Sequence, residues 1–505
     1  MSEGVVRERG TELALALVVL VGAAVRLYGL GSESMWTDEL ITLEFILANG
    51  PLELLWVIPL NQPHLPVYYV LLDGWAALFG TSPVALRSLS VLFGIATIPL
   101  FYVVGRQLFS DLAGLVAAFI YALAQVQVFH AQEVRMYTLF AFLALASLSL
   151  LVRYLRTESR ETAVAYVVVT VLLIYTHPFG VFAVAGEGLF VLAELARGRV
   201  RNVRRTVGTQ VAVGFTVLPL VVGYFVRFDG VSLSYIPLPT PSLVVTVFTG
   251  YFARTGIVPA LAYVLVLTGG LLTLAVTEGC FSASVDPRHP GRTLRNLAER
   301  IRFTDDRGVQ LLVCWVFGTF VLPLVVSFTM TPVFWPRYTL AASFGLYLLV
   351  GYGVTRAKRP PVRVAIIALL LVAVVPATAF DVTTDTREQW DEATADVEQR
   401  ADAEALVVVA DWTTLRGFEY YQTREDLEVV GVKTGPPERR MSTPELRATM
   451  DGHDEVWVVF SHVRDEGRAR VASVAGDGRE VTWREHYVGI EVRRYEASTG
   501  GDDAS

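Results

Sequence analysis

Long apolar runs alternate with short polar stretches along this chain, and most runs reach the length that crosses a bilayer. They fall at about residues 13–30, 84–105, 112–130, 136–153, 162–177, 179–196, 207–226, 257–277, 309–330, 338–355 and 362–380, which predicts eleven transmembrane helices. A shorter apolar stretch, Pro66–Phe79, either crosses or lies against the outer face, and counting it gives twelve. The run from Leu13 to Leu30 carries a single charge, Arg26. Mixed acids and bases precede it and no small-residue cleavage site follows, so it reads as an uncleaved span.

Beyond residue 380 the pattern changes. "REQWDEATADVEQR" has the spacing of a helix, and "ALVVVA", "LEVVGV" and "EVWVVF" are short apolar runs of strand length. Ser442 and Glu445 in "STPE" fit a capping box that opens another helix. Strands alternating with helices predict a small α/β layer with partly parallel pairing. The expected division is therefore a transmembrane domain over 1–380 and a soluble α/β domain over 381–505.

Charge orients the spans. The whole chain has mean hydropathy +0.48 and net charge −7. From Asp381 onward there are 28 acids against 15 bases, so the membrane part is net basic. One set of alternate loops holds Arg106, Arg153, Arg156, Arg160, five arginines from Arg197 to Arg205, six from Arg288 to Arg307, and Arg356 to Arg363. The positive-inside rule puts that set in the cytoplasm. This holds if Pro66–Phe79 does not cross, and the tail then lies outside a plasma membrane. The chain has only two lysines, Lys358 and Lys433, and an acidic tail, as a salt-rich exterior favours. The cysteines, Cys280 and Cys314, read as free thiols and not as a disulfide framework or a zinc site.

On this topology the ionisable residues out of keeping with an apolar chain gather on the outer side. They are Asp38 and Glu39 in "WTDE", His64 in "QPHLP", Arg87, Glu133 and Arg135 in "AQEVRMY", His177 in "YTHPFG", and Arg337 with Tyr338 in "WPRYTL". Any one of them at a helix end reads as a snorkelling or capping group. Several at one depth suggest a shared polar cavity. Carboxylates can take a proton from an acceptor hydroxyl, and arginines can hold a phosphate through paired hydrogen bonds as it gains charge. Sugar transfer from a lipid-linked phosphate needs both. No Gly-rich nucleotide loop is present, as fits a donor activated before it reaches the outer face. Nothing points to nucleic acid.

At these residues the chain resembles the GT-C class of membrane glycosyltransferases, and within it the family 39 group of protein O-mannosyltransferases, aminoarabinose transferases and archaeal and bacterial relatives. "WTDE", "QPHLPVYYVLLDGWAALFG", "LRSLSVLFGIATIPLFYVVGRQLFS", "AQEVRMYTLFAFLAL" and "PRYTLAASFGLYLL" carry the resemblance, in family order from about Trp36 to Val354. The family often has two adjacent prolines where His64 and Leu65 here separate Pro63 from Pro66. The resemblance implies a GT-C fold and Asp38 as the catalytic base, with Glu39 orienting the site or serving as an alternative acid. Glu133 matches a second acidic position. Arg337 matches the residue that grips the lipid phosphate, with Tyr338 beside it. Arg87 and Arg135, as further phosphate-binding candidates, and His64 are carried over with them, and His177 is a candidate from its place among the outer-side polar residues.

The implied reaction is an inverting displacement. A sugar, with mannose first in view, passes from a polyprenyl or dolichyl phosphate to a lipid-linked glycan, a protein or an envelope lipid. No cofactor is required, since arginines can carry the phosphate charge. The related oligosaccharyltransferases use a divalent ion, so a Mg2+ or Mn2+ site built from Asp38, Glu39 and Glu133 stands as the alternative. An oligosaccharide polymerase using a lipid diphosphate, a lipid-sugar transporter and an inactive scaffold are the competing readings. The sequence leaves oligomeric state open.

Overall fold

The computed structural model of the chain describes residues 3–61, 64–227, 236–252, 268–272, 277–278, 302–303, 305–434 and 440–498. In the first 383 residues the helices are α1 (Glu3–Leu27), α2 (Thr37–Ala48), α3 (Pro51–Asn61), α4 (Pro66–Phe79), α5 (Pro83–Leu108), α6 (Asp111–Leu123), α7 (Gln125–Ala131), α8 (Tyr137–Thr157), α9 (Arg160–Thr176), α10 (Gly180–Ala196), α11 (Val203–Arg227), α12 (Pro241–Gly250), α13 (Arg307–Val316), α14 (Leu322–Thr329), α15 (Ala341–Arg356) and α16 (Pro360–Thr383). A π-helical turn, Phe317–Val321, joins α13 to α14. The expected span at 257–277 lies largely outside the described residues, as does Cys280, while Cys314 is a free thiol.

The contacts divide the chain into two compact units. One comprises residues 1–28, 49–80 and 85–382; the other comprises residues 29–48, 81–84 and 383–505.

The first unit is a helical membrane bundle. By length and composition, α1, α5, α8, the α13–α14 run and α16 can each cross a bilayer, and the α6–α7 pair makes a sixth crossing if its two halves act as one. Helices α9 and α10, with 17 residues each, and α15, with 16, are shorter. Leu13, Leu17 and Leu20 on α1, Val164 and Val168 on α9, and Val364 and Val372 on α16 are exposed apolar side chains, as lipid-facing positions require. Helix α15 is buried along most of its length. It packs on α6 so closely that a Cβ on Gly351 would come within 2.4 Å of the Ala113 carbonyl oxygen. Likewise a Cβ on Gly105 of α5 would meet the Gly114 Cα at 2.4 Å, so only glycine allows these backbones to approach as they do.

The expected span at 112–130 is broken. Its halves, α6 and α7, meet at Ala124 and are bent by 60°. A break inside a bilayer frees carbonyls that must find other donors. Arg26, the lone charge of the first span, is buried and supplies them: Nη1 donates to Ala122 O at 2.7 Å and Nη2 to Tyr121 O at 3.1 Å. The Thr378 hydroxyl donates to Leu123 O. Beyond the break, Gln125 Nε2 reaches Asp381 Oδ1 at 3.0 Å. Arg26→Leu is therefore expected to strand two buried carbonyls and to cost about 2–4 kcal/mol. Thermal unfolding of the detergent-purified protein checks this, and an unchanged midpoint would sink the account.

The second unit carries a five-stranded sheet of β1 (Leu406–Ala410), β2 (Glu428–Val432), β3 (Glu455–Ser461), β4 (Arg479–Tyr487) and β5 (Ile490–Ala497), in the order β2-β1-β3-β5-β4. Strands β1, β2 and β3 pair in parallel, and the β4–β5 hairpin joins β3 antiparallel. Both faces are covered. Val407, Val409, Trp457 and Val459 pack with Trp390 and Phe418 on one side, and Val408, Val456, Val458 and Phe460 pack with Leu446 and Val471 on the other. That is why the three parallel strands read as unbroken apolar runs. Helices α17 (Trp390–Arg400), α18 (Leu415–Tyr421), α19 (Thr443–Met450) and α20 (Asp465–Ala475) cover the sheet, and the capping box of Ser442 and Glu445 opens α19. Helix α2 packs on α18 in this unit.

Candidate active site

In the membrane unit, seven of the predicted residues lie in the loops and helix ends that follow α3, α4, α7, α9 and α14. The turn after α7 is pinned by Gln132, whose Nε2 donates to Arg26 O at 3.2 Å and to Tyr28 O at 2.7 Å. It presents two buried charged residues. Glu133 Oε1 accepts from His130 Nδ1 at 2.6 Å, so this carboxylate is engaged by a histidine the sequence did not single out. Arg135 Nη2 donates to His64 Nε2 at 2.6 Å. The Arg135 backbone is also held, since Ser90 Oγ on α5 donates to its carbonyl at 3.1 Å, and Tyr68 on α4 meets the same hydroxyl at 3.2 Å. Arg87 is buried one turn before Ser90 on α5.

His177 ends α9 and is buried. Its ring lies 6.5 Å from the His64 ring, 5.8 Å from that of Tyr137 and 5.9 Å from that of Tyr338, centroid to centroid. Phe179 stacks on Tyr338 at 4.9 Å, and the Arg337 guanidinium stands 5.4 Å from the Tyr338 ring. Burial pushes His64 well below its ordinary pKa, and the positive fields of Arg135 and Arg337 push it the same way. His64 is thus neutral and accepts from Arg135 at Nε2, which leaves its proton on Nδ1. That Nδ1 is buried with no hydrogen-bond partner among the described residues. His177 accepts Phe179 N–H at Nδ1 at 3.2 Å, so its proton sits on Nε2, which is buried and unpartnered in the same way. The Tyr137 hydroxyl is a third such group. A cluster of buried donors lacking acceptors suits an acceptor-rich ligand.

The depressed His64 pKa makes a pH prediction. The unfolded chain takes up this proton at about pH 6.5 and the folded chain resists it. Stability is therefore expected to fall as pH drops below that value. His64→Asn should flatten this part of the thermal-unfolding profile, and an unaltered slope would count against the assignment.

Asp38 and Glu39 belong to the other unit, in the first turn of α2. Acids suit that position because the helix dipole is positive there. Glu39 is fully buried and turned back on its own helix, Oε2 accepting Trp36 N–H at 3.3 Å. Asp38 is half-buried, and its carbonyl accepts the Thr42 hydroxyl at 2.9 Å. Thr37, just before it, donates both N–H and hydroxyl to Glu388. Among the described residues no group of three or more His, Cys, Asp or Glu side chains could hold a metal ion.

Residues 61–224 match the family described as dolichyl-phosphate-mannose-protein mannosyltransferase. No curated protein matches the chain. The fold is decided by solved structures. ArnT from Cupriavidus metallidurans in the apo state superposes with a TM-score of 0.59 at 13% identity, over 97% of this chain and 98% of that one. The chain shares the fold of that membrane protein. The same ArnT bound to undecaprenyl phosphate matches this chain with a TM-score of 0.53 at 13% identity, over the same shares of both chains. The archaeal oligosaccharyltransferase AglB from Archaeoglobus fulgidus, in complex with an inhibitory peptide and a dolichol-phosphate, matches with a TM-score of 0.51 at 12% identity, over 98% of this chain and 75% of that one. A helical membrane part with a small C-terminal sheet is thus the architecture the GT-C resemblance implied. Sequence reasoning missed His130 and Tyr137, which lie beside the quoted Glu133 and Arg135, and Glu388 and His462, which meet only through the fold.

Proposed function

We propose that this chain transfers a single sugar from a polyprenyl or dolichyl monophosphate to a hydroxyl acceptor on the outer side of the plasma membrane. The observation that supports this most is the buried group of the membrane unit. There His64 Nδ1 and His177 Nε2 lack acceptors among the described residues, beside Arg135 and Arg337. Two neutral imidazole donors with two guanidiniums match the oxygens of a phosphate, through hydrogen bonds assisted by the ligand's charge. Tyr338 lies against Arg337 and His177 in this group, and Arg87, buried on α5, is the further arginine the proposal assigns to the phosphate. Two structurally similar proteins are named with undecaprenyl phosphate and dolichol-phosphate, which agrees with a lipid-phosphate donor. The family description makes dolichyl-phosphate mannose the first donor to try.

In the reaction we infer, Asp38 takes the proton of the acceptor hydroxyl. The hydroxyl oxygen forms a bond to the anomeric carbon as the bond from that carbon to the phosphate oxygen breaks on the opposite face. The polyprenyl phosphate leaves with the electron pair, stabilised by arginine. The sugar is inverted.

The test is an incubation of the purified protein, reconstituted in vesicles and in EDTA, with labelled dolichyl-phosphate mannose and, in parallel, an undecaprenyl-phosphate sugar and a lipid-diphosphate-linked sugar, plus a host envelope extract. Label moving to acceptor with release of one lipid monophosphate per sugar is expected. Consumption of lipid diphosphate donors alone would favour the polymerase reading. Intact donor crossing vesicle membranes without cleavage would favour the transporter.

A further inference from the structure

We propose that Glu388, in the C-terminal segment, is a positioning residue for Asp38, fixing the first turn of α2 through Thr37. This rests on Asp38 being the base of the reaction proposed above. The Glu388 carboxylate is buried, and its partners among the described residues belong to this unit. Oε2 accepts the Thr37 hydroxyl at 2.7 Å, Thr37 N–H at 3.2 Å and Trp390 Nε1 at 2.6 Å. Oε1 pairs with His462 Nε2.

A buried carboxylate is costly unless its lone pairs are filled. Here they are filled mainly by the residue that precedes Asp38 and by the two that brace it. Burial would raise the Glu388 pKa, but the bonds from His462, Thr37 and Trp390 outweigh that and hold it below its ordinary value. The bond to Glu388 raises His462 above its usual range against the opposing pull of burial, and Asp38 and Asp411 add to the rise. The two thus form an ion pair. His462 follows β3 with φ +56°, a left-handed conformation uncommon for a non-glycine residue.

Further links tie the same two segments together. Ser34 Oγ donates to the Glu388 carbonyl and accepts from Trp390 N at 3.1 Å. Glu33 pairs with Arg387 at 2.5 Å and accepts Thr386 N–H at 2.6 Å. The Tyr421 hydroxyl accepts Met35 N–H at 2.7 Å, and Arg416 meets Glu44 at 3.0 Å. Residues 33–37 are thereby strapped to 386–390, with Glu388 under the turn that carries Asp38. The C-terminal domain thus serves as the mount of the acid pair.

A purely structural role is separated by a control. Glu455 is a second buried carboxylate of this domain, accepting from Trp457 Nε1, Arg494 Nε and Asp402 N, with no bond to α2 among the described residues. Full-length wild type, Glu388→Ala and Glu455→Gln would be compared by hydrogen exchange over the peptide spanning residues 36–44 and by transfer kinetics. Glu388→Ala should raise exchange in that peptide and lower kcat about tenfold or more, with little change in KM for the donor. Glu455→Gln should lower thermal stability yet leave both readouts near wild type. If Glu388→Ala fails to fold, Thr37→Val removes one of the same bonds and should move both readouts in the same direction.

Unchanged exchange in the 36–44 peptide overturns the proposal. So does raised exchange with kcat no lower than that of Glu455→Gln. Exchange needs no donor, so a wild type that transfers no sugar would overturn the transfer reading and leave the exchange result to decide the strap.

Discussion

Asp38→Asn is expected to reduce sugar transfer by about 10²–10⁴-fold while the protein folds and binds lipid phosphate as before. The substitution keeps the size and hydrogen-bonding shape of the side chain and removes only its capacity to accept a proton. The charge itself adds to the field on His462, while the turn is held by other groups. The Asp38 carbonyl, and not its carboxylate, receives Thr42, and the turn is held by Thr37 and Glu39. Single-turnover rates with saturating donor are the measurement, since they report the chemical step without product release. Glu39→Gln supplies the contrast. Its carboxylate is buried and caps its own helix, so its loss should lower stability by about 1 kcal/mol and affect transfer far less. Comparable collapse of transfer in both variants would mean that the acidic pair acts as a unit. Full activity of Asp38→Asn would remove Asp38 from the mechanism.

What could be read from the sequence was what local pattern encodes. The parallel strands were visible because a strand covered on both faces is apolar at every position, as in Leu406–Ala410. The hairpin of β4 and β5 was not, because "REVTWREHY" is an edge strand whose charged and polar side chains hide its alternation. The break between α6 and α7 has no proline or glycine at Ala124 to announce it. It is held open by Arg26 and Thr378, about a hundred and two hundred and fifty residues away in the chain. The same holds for the candidate site. Asp38, His64, Arg135, His177 and Arg337 stood out as ionisable groups at the ends of apolar runs, which is a sequence signal. Glu388 lies in a segment already rich in acids, and His462 ends a strand in a domain that is acidic overall. Nothing local marks either one, and only the fold brings them together 74 residues apart.

Arg337→Ala should weaken binding of dolichyl phosphate by about ten- to a hundredfold, the effect of one charge-assisted contact of roughly 1.5–3 kcal/mol. Arg337 is half-buried and stacks against Tyr338, so its removal leaves little apolar surface to collapse and thermal stability should stay near wild type. Arg135 differs, because it is buried and donates to His64. Arg135→Ala should therefore lose both donor affinity and stability, and it should let the His64 pKa rise by removing a neighbouring positive charge. Ligand-induced stabilisation separates the two, since the rise in unfolding temperature with added dolichyl phosphate tracks the dissociation constant. Arg337→Lys restores the charge without the planar pair of donors, so partial recovery of affinity is expected. Equal stabilisation of wild type, Arg337→Ala and Arg135→Ala by the lipid phosphate would show that this group binds something else, and the donor phosphate would have to be sought at other residues.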